Sequence, residues 1–316
     1  MAPRVSVVIP THQTRELTLR CVDSLQACLP PSCETVVVDD GSTDGTAEAL
    51  RRRHPGVKLV VLTPGRGFTA AANLGMREGR GELLFLLNSD TEVESTTVPR
   101  LLAAFEDDPR LGVAGAELRF PDGRPQWSAG HTPTSLWLFA LSSGMARALA
   151  SLPGYRRLRP AGGARGRVDW VCGAAMMVRR EAWATAGGFD ERFRFYCQDL
   201  DLCLRTSAGG WKVQVVSGAR VTHLAGATIG QRPGAANDRS HPELLWTDLV
   251  RWAAKRGGPR NARDSARALK LGGMLRVGAR RLVVPFLPPD RRGPWKRETH
   301  VFEQALTALA GARPAQ

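Results

Sequence analysis

The sequence predicts an α/β protein with a mostly parallel central sheet, followed by a helical, basic C-terminal extension. Three observations carry this. Through the first part, β-rich runs (residues 5–9, 35–38, 58–62) alternate with helical stretches (17–27, 46–53), the order expected of βαβ units. Val36-Val37-Val38 and Leu83-Leu84-Phe85-Leu86-Leu87 are apolar at every position rather than at alternate ones, as in strands covered by helices on both faces. Residues 251–300 hold 14 Lys and Arg against Asp264, Asp290 and Glu298, with apolar residues interleaved.

With 316 residues, 43% of them hydrophobic, the chain can bury a full core and suggests roughly two domains, or one large domain with an extension. The first run, Val5-Ser6-Val7-Val8-Ile9, follows Met1-Ala2-Pro3-Arg4 directly, which does not read as a signal peptide. No uninterrupted apolar stretch is long enough to span a bilayer. The six cysteines form no CxxC pair and no zinc-type spacing with histidine, so reduced, mostly buried thiols of a cytosolic protein are expected.

The second strand ends in Asp39-Asp40 and runs into Gly41-Ser42-Thr43-Asp44-Gly45-Thr46, a tight turn that predicts an N-cap at its end and a helix over 47–53. A glycine turn at a helix amino terminus suits phosphate or ribose. The composition is also that of an ordinary turn, and it is neither a P-loop nor a GxGxxG fingerprint. Leu83–Leu87 delivers Asn88-Ser89-Asp90. In open α/β sheets the ligand crevice lies outside the carboxyl ends of the strands, where a carboxylate can hold Mg²⁺ or Mn²⁺ against a substrate phosphate. The same three residues would also make a polar turn towards a helix around Leu101.

Residues 121–167 carry Gly, Pro and Arg punctuation around a helix near 135–149 and read as an irregular region covering one side of the site. Order returns over 168–178, then at the turn Gly187-Gly188-Phe189-Asp190, then at Gln198-Asp199-Leu200-Asp201-Leu202-Cys203-Leu204-Arg205, an acid-opened helix. Asp199 and Asp201 could serve that helix end alone, and His223 could be an ordinary core or surface histidine.

Taken in order, seven blocks resemble family 2 glycosyltransferases of the GT-A fold, particularly the bacterial rhamnosyltransferase-like branch that decorates cell-surface polysaccharides and glycolipids. They are Val-Ser-Val-Val-Ile-Pro-Thr (5–11), Val-Val-Asp-Asp-Gly-Ser-Thr-Asp-Gly-Thr (37–46), Gly-Phe-Thr-Ala-Ala-Ala-Asn-Leu-Gly (67–75), Leu-Leu-Asn-Ser-Asp-Thr (86–91), Gly-Gly-Phe-Asp-Glu-Arg-Phe (187–193), Gln-Asp-Leu-Asp-Leu-Cys-Leu-Arg (198–205) and Val-Thr-His (221–223). The resemblance covers roughly residues 4–230. It implies a GT-A domain over 1–230, its nucleotide-sugar half at about 1–120 and its acceptor half at 121–230, with 231–316 as the basic, mainly helical extension.

The resemblance further implies that Pro10, Thr11, Asp39 and Asp40 border the nucleotide base and ribose; Asn88 is a further candidate at the donor, and Arg66 a candidate for the donor phosphates or an ordinary surface arginine of a basic chain. Asp90 would hold a divalent cation, Mg²⁺ or Mn²⁺, on the diphosphate, His223 would complete the metal site, and Asp199 would be the general base. Such chemistry needs a carboxylate to take the acceptor's proton and a cation to neutralise the departing nucleoside diphosphate. One base opposite the leaving group implies inversion without a covalent intermediate. Trp170, Gly173, Gln198 and Asp199 would meet the acceptor, and Phe189, Phe193 and Tyr196 are further aromatic candidates for that pocket or for the core. Two positions depart from the family pattern: Gln198 stands where an acid usually precedes the base, and Gly65 where an asparagine often precedes the Gly-Phe block.

The implied partners are a nucleoside diphosphate sugar, rhamnose favoured, and a glycan or polyprenol-linked glycan acceptor. The basic pieces Ala268-Leu269-Lys270-Leu271, Met274-Leu275-Arg276-Val277 and Arg281–Leu287 suit a peripheral contact with an anionic membrane at the inner face of the cell, or a solvated helical face. No recognition motif accompanies the charge, so nucleic acid is not expected. A GT-A-like protein that binds nucleotide sugar or glycan without turnover is the alternative. A nucleotidyltransferase would show a glycine-rich, basic signature after the first strand, where Pro10-Thr11-His12-Gln13 stands instead.

Overall fold

The computed structural model describes residues 3–148, 166–193, 196–224 and 241–311. Contacts group them into two compact units: residues 3–131, 166–193 and 198–224 in the first, and 132–148, 196–197 and 241–311 in the second.

In the first unit, β1 (Val5–Thr11), α1 (Arg15–Gln26), β2 (Cys33–Asp39), α2 (Thr46–Arg53), β3 (Lys58–Val61), α3 (Phe68–Glu78) and β4 (Leu83–Leu87) alternate as the sequence predicts. The sheet order is β3-β2-β1-β4-β10-β6-β11-β5, with β8 paired to β11. β1 to β4 run parallel to one another. β10 (Ala175–Arg179) runs antiparallel between β4 and β6 (Leu111–Arg119), and β11 (Lys212–His223) runs parallel to β6. Every residue of β4 is buried, consistent with its uninterrupted apolar run. Helix α3 lies so close over β1 and β2 that a Cβ on Gly75 would overlap Val8 Cγ1, so only glycine permits the approach.

Three local readings differ from expectation. Thr46 is not the N-cap but the first residue of α2, and Asp44 Oδ1 accepts from its N–H at 3.1 Å. The carboxylate two residues upstream is the better acceptor for a free helix N–H. Asn88-Ser89-Asp90 leads first into a short strand, β5 (Thr91–Val93), antiparallel to the end of β11, and only then into α4 (Thr97–Asp107). The helix expected near 135–149 is broken into α5 (Ser135–Ser143) and α6 (Met145–Ala148) at Gly144, whose φ of 81° ends a helix turn; residue 149 lies outside the described residues. The remaining small elements are β7 (Ala129–Gly130), β8 (Gly166–Arg167), β9 (Trp170–Val171) and α7 (Arg180–Ala186), and α8 (Gln198–Ala208) precedes β11.

The second unit is helical: α5 and α6 pack with α9 (Pro242–Val283) and α10 (Pro289–Gly311). Residues 132–148, expected in an acceptor half spanning 121–230, therefore group with the C-terminal helices, because Gly272 of α9 leaves no room for a Cβ against Ser142 of α5. The boundary expected at 230/231 lies outside the described residues. Within α9, Gly257 and Gly258 leave helical geometry just before Pro259, which cannot donate to the preceding turn. Trp246 and Phe302 stack with centroids 6.2 Å apart, and the Arg276 guanidinium lies 3.8 Å over the Phe302 ring. No described helix is long and apolar enough to cross a membrane.

Candidate active site

Parallel strands bring the sequence-predicted acids to one edge of the first unit. Thr11 at the end of β1 pairs in register with Asp39 at the end of β2. The Thr11 hydroxyl lies 2.9 Å from Thr14 and 2.6 Å from Thr18, and Thr14 lies 3.0 Å from Ser89. This buried hydroxyl chain ties the end of β1 to the loop that carries Asn88 and Asp90.

The two acids of β2 have different surroundings. Asp39 Oδ1 accepts from the Ser42 N–H at 2.9 Å, while its buried Oδ2 has no hydrogen-bond partner. Asp40 is filled by backbone: Oδ1 accepts from Arg66 N–H at 2.6 Å and Oδ2 from Gly67 N–H at 2.8 Å. A Cβ at Gly65 would overlap the Asp40 carbonyl oxygen, which gives a physical reason for glycine where the resemblance expects asparagine. Arg66 itself points to solvent, 3.9 Å from Glu191.

β5 and β11 pair so that His223 lies opposite Thr91, setting its ring beside Asp90. Asp90 is 2% exposed, and its Oδ1 has no hydrogen-bond partner although His223 Nε2 lies 3.3 Å away. Gln126, buried and absent from the sequence reading, accounts for this arrangement. Its Oε1 lies 2.9 Å from His223 Nδ1, and its Nε2 donates to the His223 carbonyl. An amide oxygen is an acceptor only, so the bond assigns the proton to Nδ1 and leaves the neutral ring's Nε2 lone pair facing Asp90. A lone pair and a carboxylate oxygen at that distance repel unless a proton or a cation lies between them. Nitrogen and carboxylate donors suit a divalent transition-metal ion such as Mn²⁺, and a second-shell amide orienting a ligating histidine is a recurrent device. Asn88 adds an amide N–H 3.4 Å from the same nitrogen and a buried Oδ1 with no hydrogen-bond partner. No cluster of three or more His, Cys, Asp or Glu suited to a metal occurs among the described residues, so a cation here would draw its other ligands from substrate oxygens and water.

Asp199 opens α8, and each carboxylate oxygen takes one backbone N–H: Oδ2 from Gly173 at 3.0 Å and Oδ1 from Leu200 at 2.8 Å. Burial raises its pKa above the ordinary carboxylate value, against the lowering effect of those N–H groups. Gly173 stands next to Ala174, whose carbonyl accepts from Asn88 N–H at 3.0 Å, so Asp199 and the Asp90 loop flank the start of β10. Between them the partly buried Cys172 has its thiol pKa pushed up to about 12, chiefly by loss of solvent and then by the charges of Asp199 and Asp90. Gln198 is buried, and its Oε1 has no hydrogen-bond partner.

Asp201, Phe189 and Phe193 serve the fold. Asp201 binds Arg205, which in turn donates to the Gly188 carbonyl at 2.7 Å, bracing the Gly187-Gly188 turn. Phe189 packs edge-on against Trp183 at 5.1 Å, and Phe193 is 1% exposed, which places both in the core. Trp170 is partly exposed, edge-on to Trp127 at 5.1 Å, with its Nε1 donating to the His131 carbonyl. Tyr196 groups with the second unit, its N–H donating to Asp248.

The chain is similar to known proteins. The chain is 29% identical over 285 residues to the N-acetylglucosaminyl-diphospho-decaprenol L-rhamnosyltransferase of Mycobacterium tuberculosis, covering 81% of this chain and 90% of that protein. It is 30% identical over 262 residues to the O-antigen biosynthesis protein RfbC of Myxococcus xanthus, covering 81% of this chain and 20% of that one. Among solved structures it is similar to the mannosyltransferase PcManGT from Pyrobaculum calidifontis in complex with GDP-Man and Mn²⁺, with a TM-score of 0.57 at 18% identity over 98% of this chain and 88% of that one. A second, S. aureus TarS 1-349 in complex with UDP, gives 0.51 at 16% identity over 96% of this chain and 81% of that one. Both likenesses show the GT-A fold. Residues 6–182, more than half the chain, match the family described as Glycosyl transferase family 2, and the protein belongs to that family of glycosyltransferases.

Proposed function

We propose that this glycosyltransferase moves a sugar, rhamnose favoured, from a nucleoside diphosphate donor to a glycan or polyprenol-linked glycan in cell-surface polysaccharide synthesis. We read it as inverting and dependent on a divalent cation. The observation that carries the reading is the apposition of Asp90 Oδ1 and His223 Nε2 at 3.3 Å, both buried, with Gln126 holding the imidazole proton on the far nitrogen. The names of the relatives support the substrate classes: one acts on an N-acetylglucosaminyl-diphospho-decaprenol, and the mannosyltransferase was solved with GDP-Man and Mn²⁺.

In this reading Asp39 Oδ2, the oxygen without a partner, accepts from the donor's base or ribose beside Pro10 and Thr11. Asp40 holds the 65–67 turn, from which Arg66, exposed beside Glu191, would reach the donor phosphates on binding. Asn88 lies between donor and His223. When bound, a divalent cation held by Asp90 and His223 supplies Lewis-acid neutralisation of the departing diphosphate. Asp199 takes the proton of the acceptor hydroxyl while that oxygen's electron pair bonds the anomeric carbon from the side opposite the diphosphate. The anomeric C–O bond breaks, its electron pair leaves on the diphosphate, and the configuration inverts. Gly173, Gln198 and Trp170 border the acceptor, Gln198 as a neutral amide that orients a hydroxyl without competing for its proton. A lipid-linked acceptor places the work at the inner face of the cell membrane, where residues 231–316 would serve as the contact.

Asp199→Asn is expected to lower transfer by about 10²- to 10⁴-fold while leaving donor binding intact; near-normal transfer would remove Asp199 from the base role. Because burial raises the Asp199 pKa, the acid limb of the rate lies above the ordinary carboxylate range. Activity rises with pH as the group ionises and is lost as pH falls through that limb. A profile flat down to ordinary carboxylate pH would contradict the assignment.

A further inference from the structure

We infer that one face of α9 is a docking surface for an anionic lipid bilayer, a deepening that rests on the membrane contact proposed above. Beyond the kink at Gly257–Gly258, Leu269, Gly272, Gly273, Arg276 and Val277 face the interior of the helical unit. The opposite face carries Arg260, Asp264, Arg267, Leu271, Met274, Leu275 and Leu282 at spacings of three, four and seven residues, one continuous stripe on a helix whose single acid, Asp264, is paired with Arg267. Leu271 is 61% exposed and Leu282 75% exposed, and Phe286, just past the helix end, is 87% exposed. Large apolar side chains aligned in this way on a water-facing helix need a cover.

The surrounding charge identifies the cover. Arg260, Arg263 and Lys270 lie on or beside the stripe and form no ion pair among the described residues, whereas Arg280 and Arg281 are held by Glu298 and Glu303. A second copy docking about a two-fold axis would set this cationic set against itself, and like charges brought together oppose association. An anionic bilayer satisfies both halves of the surface: the arginines and lysine meet lipid phosphates while the leucines and Phe286 enter the headgroup–acyl boundary. The arrangement is that of a helix lying in the interface plane, and it needs no membrane-spanning segment.

The test is flotation of the full chain with phosphatidylcholine vesicles and with phosphatidylcholine–phosphatidylglycerol vesicles, at low and raised salt. The wild type is expected to partition onto the anionic vesicles about tenfold or more above the neutral ones, less so at raised salt. The double variants Leu271→Glu/Leu282→Glu and Arg263→Glu/Lys270→Glu should each lose most of that partition while keeping the wild-type thermal shift with nucleoside diphosphate sugars. Equal binding to both vesicle types, or wild-type partition by the Leu271→Glu/Leu282→Glu protein, overturns the inference. So does a dimer in sedimentation that this variant dissolves, which would assign the stripe to a second copy. Vesicle binding with no donor-induced shift in any variant would instead count against the glycosyltransferase site and leave the surface standing.

Discussion

At the carboxyl end of β2, both oxygens of Asp40 are filled by backbone N–H groups, from Arg66 at 2.6 Å and Gly67 at 2.8 Å. At the carboxyl end of β4, Asp90 is just as inaccessible, yet its Oδ1 receives no hydrogen bond and looks at His223 Nε2 from 3.3 Å. The two strand ends read alike in sequence: an apolar run, then an acid. They differ in what completes the carboxylate. Asp40, whose donors the chain supplies, holds a loop in place; Asp90, whose Oδ1 the chain leaves unfilled, is on the proposed reading open to a cation. Buried polar groups are nearly always satisfied; on the reading proposed above, the unfilled Asp90 Oδ1, with Asn88 Oδ1 beside it, is where a ligand would bind.

The same substitution at both ends puts that contrast to the test. Asp90→Asn should cost transfer about 10²-fold or more, because cation neutralisation of a leaving diphosphate provides several kcal/mol, while its unfolding free energy from chemical denaturation stays within about 1 kcal/mol of wild type. Asp40→Asn should do the reverse, losing about 1.5–3 kcal/mol of stability: the new amide NH₂ would face the Gly67 N–H, one donor against another. Equal destabilisation by the two variants would erase the distinction. Gln126→Leu sharpens it further. Freed from Gln126, the imidazole can place its proton on either nitrogen, and Mn²⁺ affinity measured by calorimetry should fall about 10- to 100-fold; unchanged affinity would remove Gln126 from the positioning role. The smallest effect is expected at Arg66→Ala. Its pair with Glu191 is long and exposed, so the unfolding free energy should change by less than about 1 kcal/mol, with any loss appearing in the KM for donor.

Much of this was legible in the chain. β1 to β4 could be read because apolar runs and glycine turns are local signals, and the order of the motifs singled out Asp90, Asp199 and His223. Gln126 was not legible: it lies in a Pro-, Gly- and Arg-punctuated stretch with no period, and its role depends on β11 delivering His223 to it from 97 residues away. β5 was missed because three residues carry no recognisable period, and its pairing with β11 is set by tertiary contact. The structural duty of Asp40 was hidden for a related reason, since its partners are backbone groups 26 and 27 residues on, and backbone leaves no mark in a sequence. The grouping of residues 132–148 with the C-terminal helices likewise depends on a contact, Ser142 on Gly272, that neither segment announces.

The most direct measurement is thermal stabilisation of wild type and Asp90→Ala by a panel of nucleoside diphosphate sugars, dTDP-rhamnose included, with and without Mn²⁺. The account predicts that one donor stabilises the wild type selectively, that Mn²⁺ enlarges the shift, and that Asp90→Ala abolishes the enlargement. A panel in which no donor stabilises the wild type, or in which Asp90→Ala keeps the full Mn²⁺ effect, would contradict it.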